Sequence, residues 1–231
     1  MSPTTPASPA AAGRRAPLAA AFLAFILGAV PLRGQTPADP PRATNALPAF
    51  EVKTLREGSE GFGLFHRVYV TIGTNKAAFL VPGGYRMQTD AQGWRIALTE
   101  PQGRSTITIL FYAPQPATTP QPKPAVLQLK PETCLEILLR RHPNAKLIEQ
   151  FTSTAAGMTG PAFELSLRND VSPPQLSRAV FIPALASLVE FQLVGNADTF
   201  AESRTALNTL LLTFRVAENG KLEIAPISDK L

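Results

Sequence analysis

Two histidines, His66 and His142, and one cysteine, Cys134, are the side chains of this 231-residue chain best suited to ligate a transition metal or move a proton near neutral pH. A three-ligand zinc site would have to recruit all of them. No H-E-x-x-H or C-x-x-C spacing brings any two together locally. If Cys134 and His142 share a helix, their eight-residue separation puts them roughly 12 Å apart along its axis, too far for a thiol–imidazole dyad. Cys134 falls on an apolar stripe and reads as a core residue, with an intermolecular disulfide as the alternative. His142 reads as a cation at a helix end, and His66 as a strand residue facing solvent.

Nucleophilic serine chemistry has no better footing. No G-x-S-x-G occurs, and the glycines of Gly58–Ser59–Glu60–Gly61–Phe62–Gly63 lack the strand-to-helix frame of a nucleophile elbow, so they are expected to shape a turn. P-loop and dinucleotide fingerprints are missing too. Two of the 17 acids could converge from distant positions, as in glycosidases, but no local signal singles out a pair. Trp94, after a turn glycine, is expected to pack in the core or at its rim, with ligand stacking as the alternative. Phe62 and Phe65 are expected to cover a sheet edge, with an exposed partner patch as the alternative. We therefore assign no catalytic, cofactor-binding or metal-binding residue from sequence, expect no cofactor, and do not expect an enzyme.

The elements that would position such groups begin after a distinct leader. Arg14, Arg15 and Arg33 account for three of the 22 Lys and Arg, and residues 1–34 hold no acid. The remaining 19 basic and 17 acidic side chains nearly balance, which excludes the basic footprint of a nucleic-acid binder. Arg14–Arg15 followed by the apolar run Ala16–Leu32 has the form of a secretory signal peptide over residues 1–34. An uncleaved membrane anchor is the alternative, since 17 residues interrupted by Pro17 and Pro31 sit at the lower limit for spanning ~30 Å of hydrocarbon. No cysteine follows the apolar run, which excludes a lipoprotein anchor. The expected location is periplasmic or extracellular.

Residues 35–49 are proline-rich and read as a linker that cannot offset its own ordering entropy. Residues 50–231 are expected to form a single domain, with a proline-rich loop at 113–124. Period-two alternation marks Phe65–Ile72, Ala78–Leu80, Tyr85–Asp90, Trp94–Thr99 and Ser105–Ala113 as strands, with Gly93 expected to supply the positive φ of a hairpin. The period then changes. Pro131–His142 carries Cys134, Leu135, Leu138 and Leu139 at helical spacing, with Pro131 in the first turn. Lys146–Thr154, Pro161–Arg168, Leu176–Ile182 and Ser187–Val194 read as four further strands. Thr199 and Glu202 have capping-box spacing ahead of a helix whose stripe is Phe200, Leu207, Leu210, Leu211 and Phe214. Asn219–Gly220 marks a final turn.

This order of strands, helix, strands, helix resembles the PsbP/DcrB-like family over about residues 76–216. The resemblance is carried by Phe79-Leu80-Val81-Pro82-Gly83-Gly84-Tyr85, the helix near Pro131–Arg141, the strand–turn–strand around Gly157–Leu167, and the ending FQLVGNADTFAESRTALNTLLLTFRV. It implies an α+β fold, an antiparallel β-sheet packed against two main helices, and a binding or accessory role. The functional expectation is an exported, non-catalytic domain that binds an unidentified protein or envelope partner. The alternative is an exported hydrolase or small-ligand carrier using a pocket between sheet and helices.

Overall fold

The computed structural model describes residues 48–59, 63–112, 130–168, 173–185, 187–217 and 222. The leader, residues 35–47 of the expected linker, the 113–124 loop, Phe62 and Asn219–Gly220 lie outside the described residues.

Strands dominate, and they form two antiparallel sheets rather than one. The four-stranded sheet has the order β1-β2-β3-β11, from β1 (Phe50–Ser59), β2 (Gly63–Ile72), β3 (Asn75–Leu80) and β11 (Arg215–Ala217). The seven-stranded sheet has the order β4-β5-β6-β10-β9-β8-β7. Its members are β4 (Arg86–Asp90), β5 (Arg95–Thr99), β6 (Ser105–Phe111), β7 (Lys146–Ala155), β8 (Met158–Arg168), β9 (Gln175–Ala184) and β10 (Ser187–Asn196). The helices are α1 (Pro131–Arg141) and α2 (Phe200–Thr213). The expected helix-packed α+β sandwich is therefore wrong: this is a sheet-dominated fold. The physical reason lies at Pro82–Gly84. After β3 ends at Leu80, a turn with Gly84 at φ +82° and the Tyr85 N–H on the Pro82 carbonyl at 3.1 Å hands the chain to a second sheet, where the sequence suggested a single antiparallel sheet.

Each face of the large sheet has its own core. On one face, Ile96, Ile107, Ile109, Val180, Ile182, Val189, Phe191 and Leu193 pack with Val68, Val70 and Phe79 of the small sheet and Phe200, Leu207, Leu210 and Leu211 of α2. Phe50 of β1 joins the two sheets, its ring 6.2 Å from Trp94 and 5.6 Å from Phe111. Phe214 closes the α2 end against Phe191, ring to edge at 5.0 Å. On the opposite face, Phe163, Leu165, Leu167, Ala179, Phe181 and Leu188 pack beneath Cys134 and Leu138 of α1. Strands β9 and β10 are consequently buried on both sides over most of their length.

Two local expectations change. Gly93 does not carry the positive φ of the β4–β5 turn; Trp94 does, at φ +47°. Gly93 instead donates its backbone N–H to the Asp90 carboxylate at 3.0 Å, and a Cβ there would only have to push aside that exposed side chain, whose nearer oxygen lies 2.5 Å away. Thr199 precedes α2, but its hydroxyl makes no capping bond and has no hydrogen-bond partner among the described residues. The first turn closes on the Thr199 carbonyl oxygen, which accepts the Ser203 backbone N–H at 3.1 Å and the Ser203 hydroxyl at 3.2 Å.

Candidate functional site

Alternation along β10 sends Val189, Phe191 and Leu193 to one core and leaves Glu190 and Gln192 on the other face, under α1. In the centre of a seven-stranded sheet that face is closed. Glu190 has no exposed surface and Gln192 has 6%. A buried carboxylate demands compensation, and the last turn of α1 delivers it. Arg141 Nη2 donates to Glu190 Oε2 at 2.5 Å and Tyr112 Oη donates to the same oxygen at 2.6 Å. Arg141 also donates to Tyr112 Oη at 3.2 Å and, through Nη1, to Gln192 Oε1 at 3.4 Å. Removing the guanidinium alone would leave the carboxylate uncompensated, a loss of about 3–5 kcal/mol for buried pairs.

The chain on either side fixes these groups. Tyr112 follows β6, where its N–H donates to Leu188 O at 2.9 Å and its carbonyl accepts from Ser187 Oγ at 2.7 Å. Helix α1 stops at Arg141, the His142 N–H closing onto Leu138 O at 2.9 Å, so Arg141 and His142 both project at β10.

The Gln192 amide sets the state of His142. Its oxygen faces Arg141, so its nitrogen must be the donor, to Ser177 Oγ at 3.1 Å and to His142 Nε2 at 3.0 Å. His142 Nε2 is then an acceptor, and its proton sits on Nδ1. Burial, reinforced by the Arg141 charge and partly offset by Glu190, holds the imidazole below its ordinary pKa. The expected helix-end cation is therefore a neutral ring near pH 7. Burial works against the charge of Arg141, but the hydrogen bond and charge of Glu190 outweigh it and hold the guanidinium above its ordinary pKa. Burial, then Glu190, raises the Tyr112 phenol, which stays protonated. Cys134, 1% exposed, is pushed up to about 11, first by burial and then by Glu190, as a core thiol would be.

One edge of this network opens to the surface. A cleft of ≈ 390 Å³ lies between the β4–β5 turn and the end of α1, walled by Trp94, Leu110, Phe111 and Tyr112, with Gln92 and Gly93 at the turn and Arg141 beside Tyr112. The left-handed backbone at Trp94 is a strained conformation for so large a side chain, and the Phe50 stack keeps the indole in place. A second groove of ≈ 310 Å³ runs beside α2, past Tyr85, Glu100, Thr199 and Glu202. Two of its polar groups are tied to residues behind the groove, Tyr85 Oη to Ser105 Oγ at 2.9 Å and Glu100 to Arg104 at 2.6 Å, while the Thr199 hydroxyl has no partner among the described residues.

The residues weighed from sequence are not brought together. His66 is exposed on β2, Cys134 lies under α1 beyond the large sheet, and His142 serves Gln192. Among the described residues, no three His, Cys, Asp or Glu side chains converge as a metal site would require. No described helix is long and apolar enough to cross a membrane. Sequence reading missed Tyr112, Arg141, Glu190, Gln192 and Ser177. The available signal was a pair of polar residues two apart in an otherwise apolar strand, ordinarily read as a solvent face.

No family model matches the chain, and no curated protein matches it by sequence. Among solved structures the chain is similar to cyanobacterial PsbP (CyanoP) from Synechocystis sp. PCC 6803, at 11% identity over 75% of this chain and 96% of that one, with a TM-score of 0.44. It is also similar to LpqN, a protein involved in cell envelope biogenesis of Mycobacterium tuberculosis, at 13% identity over 73% of this chain and 91% of that one, with a TM-score of 0.40. Both are distant likenesses of fold alone and bring no activity with them.

Proposed function

We propose that this chain is an exported, non-catalytic binding domain that engages a protein partner through the cleft between the β4–β5 turn and the end of α1. The observation that carries this reading is the state of the one fully buried acid among the described residues. Glu190 has no exposed surface, and Arg141 and Tyr112 share its Oε2, so a substrate at the surface has no access to it as nucleophile or proton donor. A hydrolase or carrier would instead use the layer between the large sheet and α1, and there Phe163, Leu165, Phe181, Cys134 and Leu138 fill the space. The cleft itself offers aromatic and aliphatic walls with one anchored guanidinium, a composition suited to recognition. Export rests on the form of residues 1–34.

The test pairs affinity capture with an activity screen. The full chain and its Leu110→Phe variant, which narrows the cleft, are used as baits on the native envelope fraction. A stoichiometric protein retained by the wild type and lost with Leu110→Phe is the expected result. Turnover of an ester, peptide or glycoside that disappears in Glu190→Gln would overturn the reading.

A further inference from the structure

We infer that the cleft beside Arg141 takes an uncharged amphipathic group, an apolar side chain together with a backbone carbonyl, and so reads an internal segment of a partner polypeptide rather than an anion. The inference rests on the proposed binding reading and specifies what that site recognises.

Arg141 is the only ionised side chain among the described residues of the cleft wall, and its charge is already answered by Glu190 at 2.5 Å. Tyr112 donates its hydroxyl proton to the same carboxylate, and His142 is held neutral as the acceptor of the Gln192 amide. The floor is thus a pair of net charge zero, in which Glu190 Oε2 takes both donors and Oε1 has no partner among the described residues. A carboxylate or phosphate arriving at Arg141 would meet a guanidinium with no charge left to neutralise it, and would stand near the buried Glu190 across a medium of low polarisability.

Hydrogen-bonding capacity points the same way. A guanidinium has five N–H donors. Nη2 serves Glu190 and Tyr112, and Nη1 serves Gln192. The Nε–H and one Nη1–H have no partner among the described residues, and one third of the side chain is exposed. These donors call for acceptor oxygens without charge, which a peptide carbonyl supplies. The network beneath holds them in a fixed direction, so a ligand need not order them on arrival.

The walls supply the rest. Trp94, Leu110 and Phe111 are apolar, and ≈ 390 Å³ lies at the small end of ligand clefts, enough for one or two residues of a chain. Trp94 is locked by its stack on Phe50 and carries the chain's one indole, so its emission reports directly on occupancy.

The probes are N-acetyl-L-leucinamide, N-acetyl-L-leucine and L-leucinamide, which share one apolar body and differ in charge. Each is titrated into the full-length protein while Trp94 emission is followed. Saturable change with the uncharged probe, at least about tenfold weaker binding of the carboxylate form, and loss of the effect in Leu110→Phe are expected. Thermal unfolding of Leu110→Phe controls for folding. If the carboxylate form binds as well or better and Leu110→Phe still abolishes it, the ligand class is overturned while the cleft remains the binding site. If none of the probes moves Trp94 in folded protein, the inference and the cleft reading fall together.

Discussion

At the scale of single residues, the Gln192 amide decides the most. By turning its oxygen to Arg141 it obliges His142 to accept, and an imidazolium in that place would set an N–H against an NH₂. Stability should therefore carry a histidine signature. The folded-state pKa of His142 is depressed, by burial first and then by Arg141, against the opposing pull of Glu190. Its stabilising contribution is fully present above the unfolded value near 6.5 and is lost as pH falls through the lower folded value. Urea unfolding from about pH 7.5 down to about pH 5 should show the wild type losing stability relative to His142→Gln, which keeps a polar side chain without the titration. Parallel profiles for the two proteins would show that the ring is not held neutral. The same proton count explains why His142 is a poor general base: its acceptor nitrogen is occupied from within the fold.

At the scale of elements, the sheet is held together where backbone meets backbone. In β8, the Phe181 carbonyl oxygen lies 1.7 Å from where a Cβ on Gly160 would stand, so no side chain fits without moving β9. Gly160→Ala should cost at least about 1–3 kcal/mol, the range for overpacking, and should loosen the β8–β9 pairing, read by amide exchange at Ala179–Phe181. Gly157, at φ +76° in the β7–β8 turn with open space around it, should cost only the smaller conformational penalty of about 1 kcal/mol when changed to Ala. Equal losses at the two sites would contradict the close approach at Gly160. Much of this level was legible in the sequence. The helix at Pro131 and the stripe Phe200, Leu207, Leu210, Leu211 and Phe214 were marked by period, and those five residues are buried. The alternation of Phe163, Leu165 and Leu167 named one face of β8 correctly. What failed was local chemistry read too literally. Thr199 has a capping residue's identity but not its hydrogen bond, and Gly93 stands in the turn without the positive φ expected of it.

The whole molecule was the hardest level to read, because periodicity tells which face of a strand is buried and not which sheet the strand joins. Nothing in Phe79–Leu80 distinguishes an edge of one sheet from the end of another; the assignment depends on pairing with Val68 and Arg67, far from the next hairpin. Glu190 was hidden for a related reason. A polar residue alternating with apolar ones signals solvent in a two-layer fold, but here a third layer, α1, closes over it. That third layer underlies the functional reading, since an interior filled on both sides of the large sheet leaves recognition to the surface cleft. Cys134 tests this most directly. It is the chain's single cysteine, it lies beneath α1, and its thiol pKa is raised to about 11. Labelling of the native protein with a small disulfide reagent at neutral pH, compared with the urea-unfolded chain, measures access to the space between α1 and the sheet. Labelling of the folded protein at the pace of global unfolding is expected; rapid modification under native conditions, without loss of structure, would reveal an open interior site and contradict the surface-binding reading.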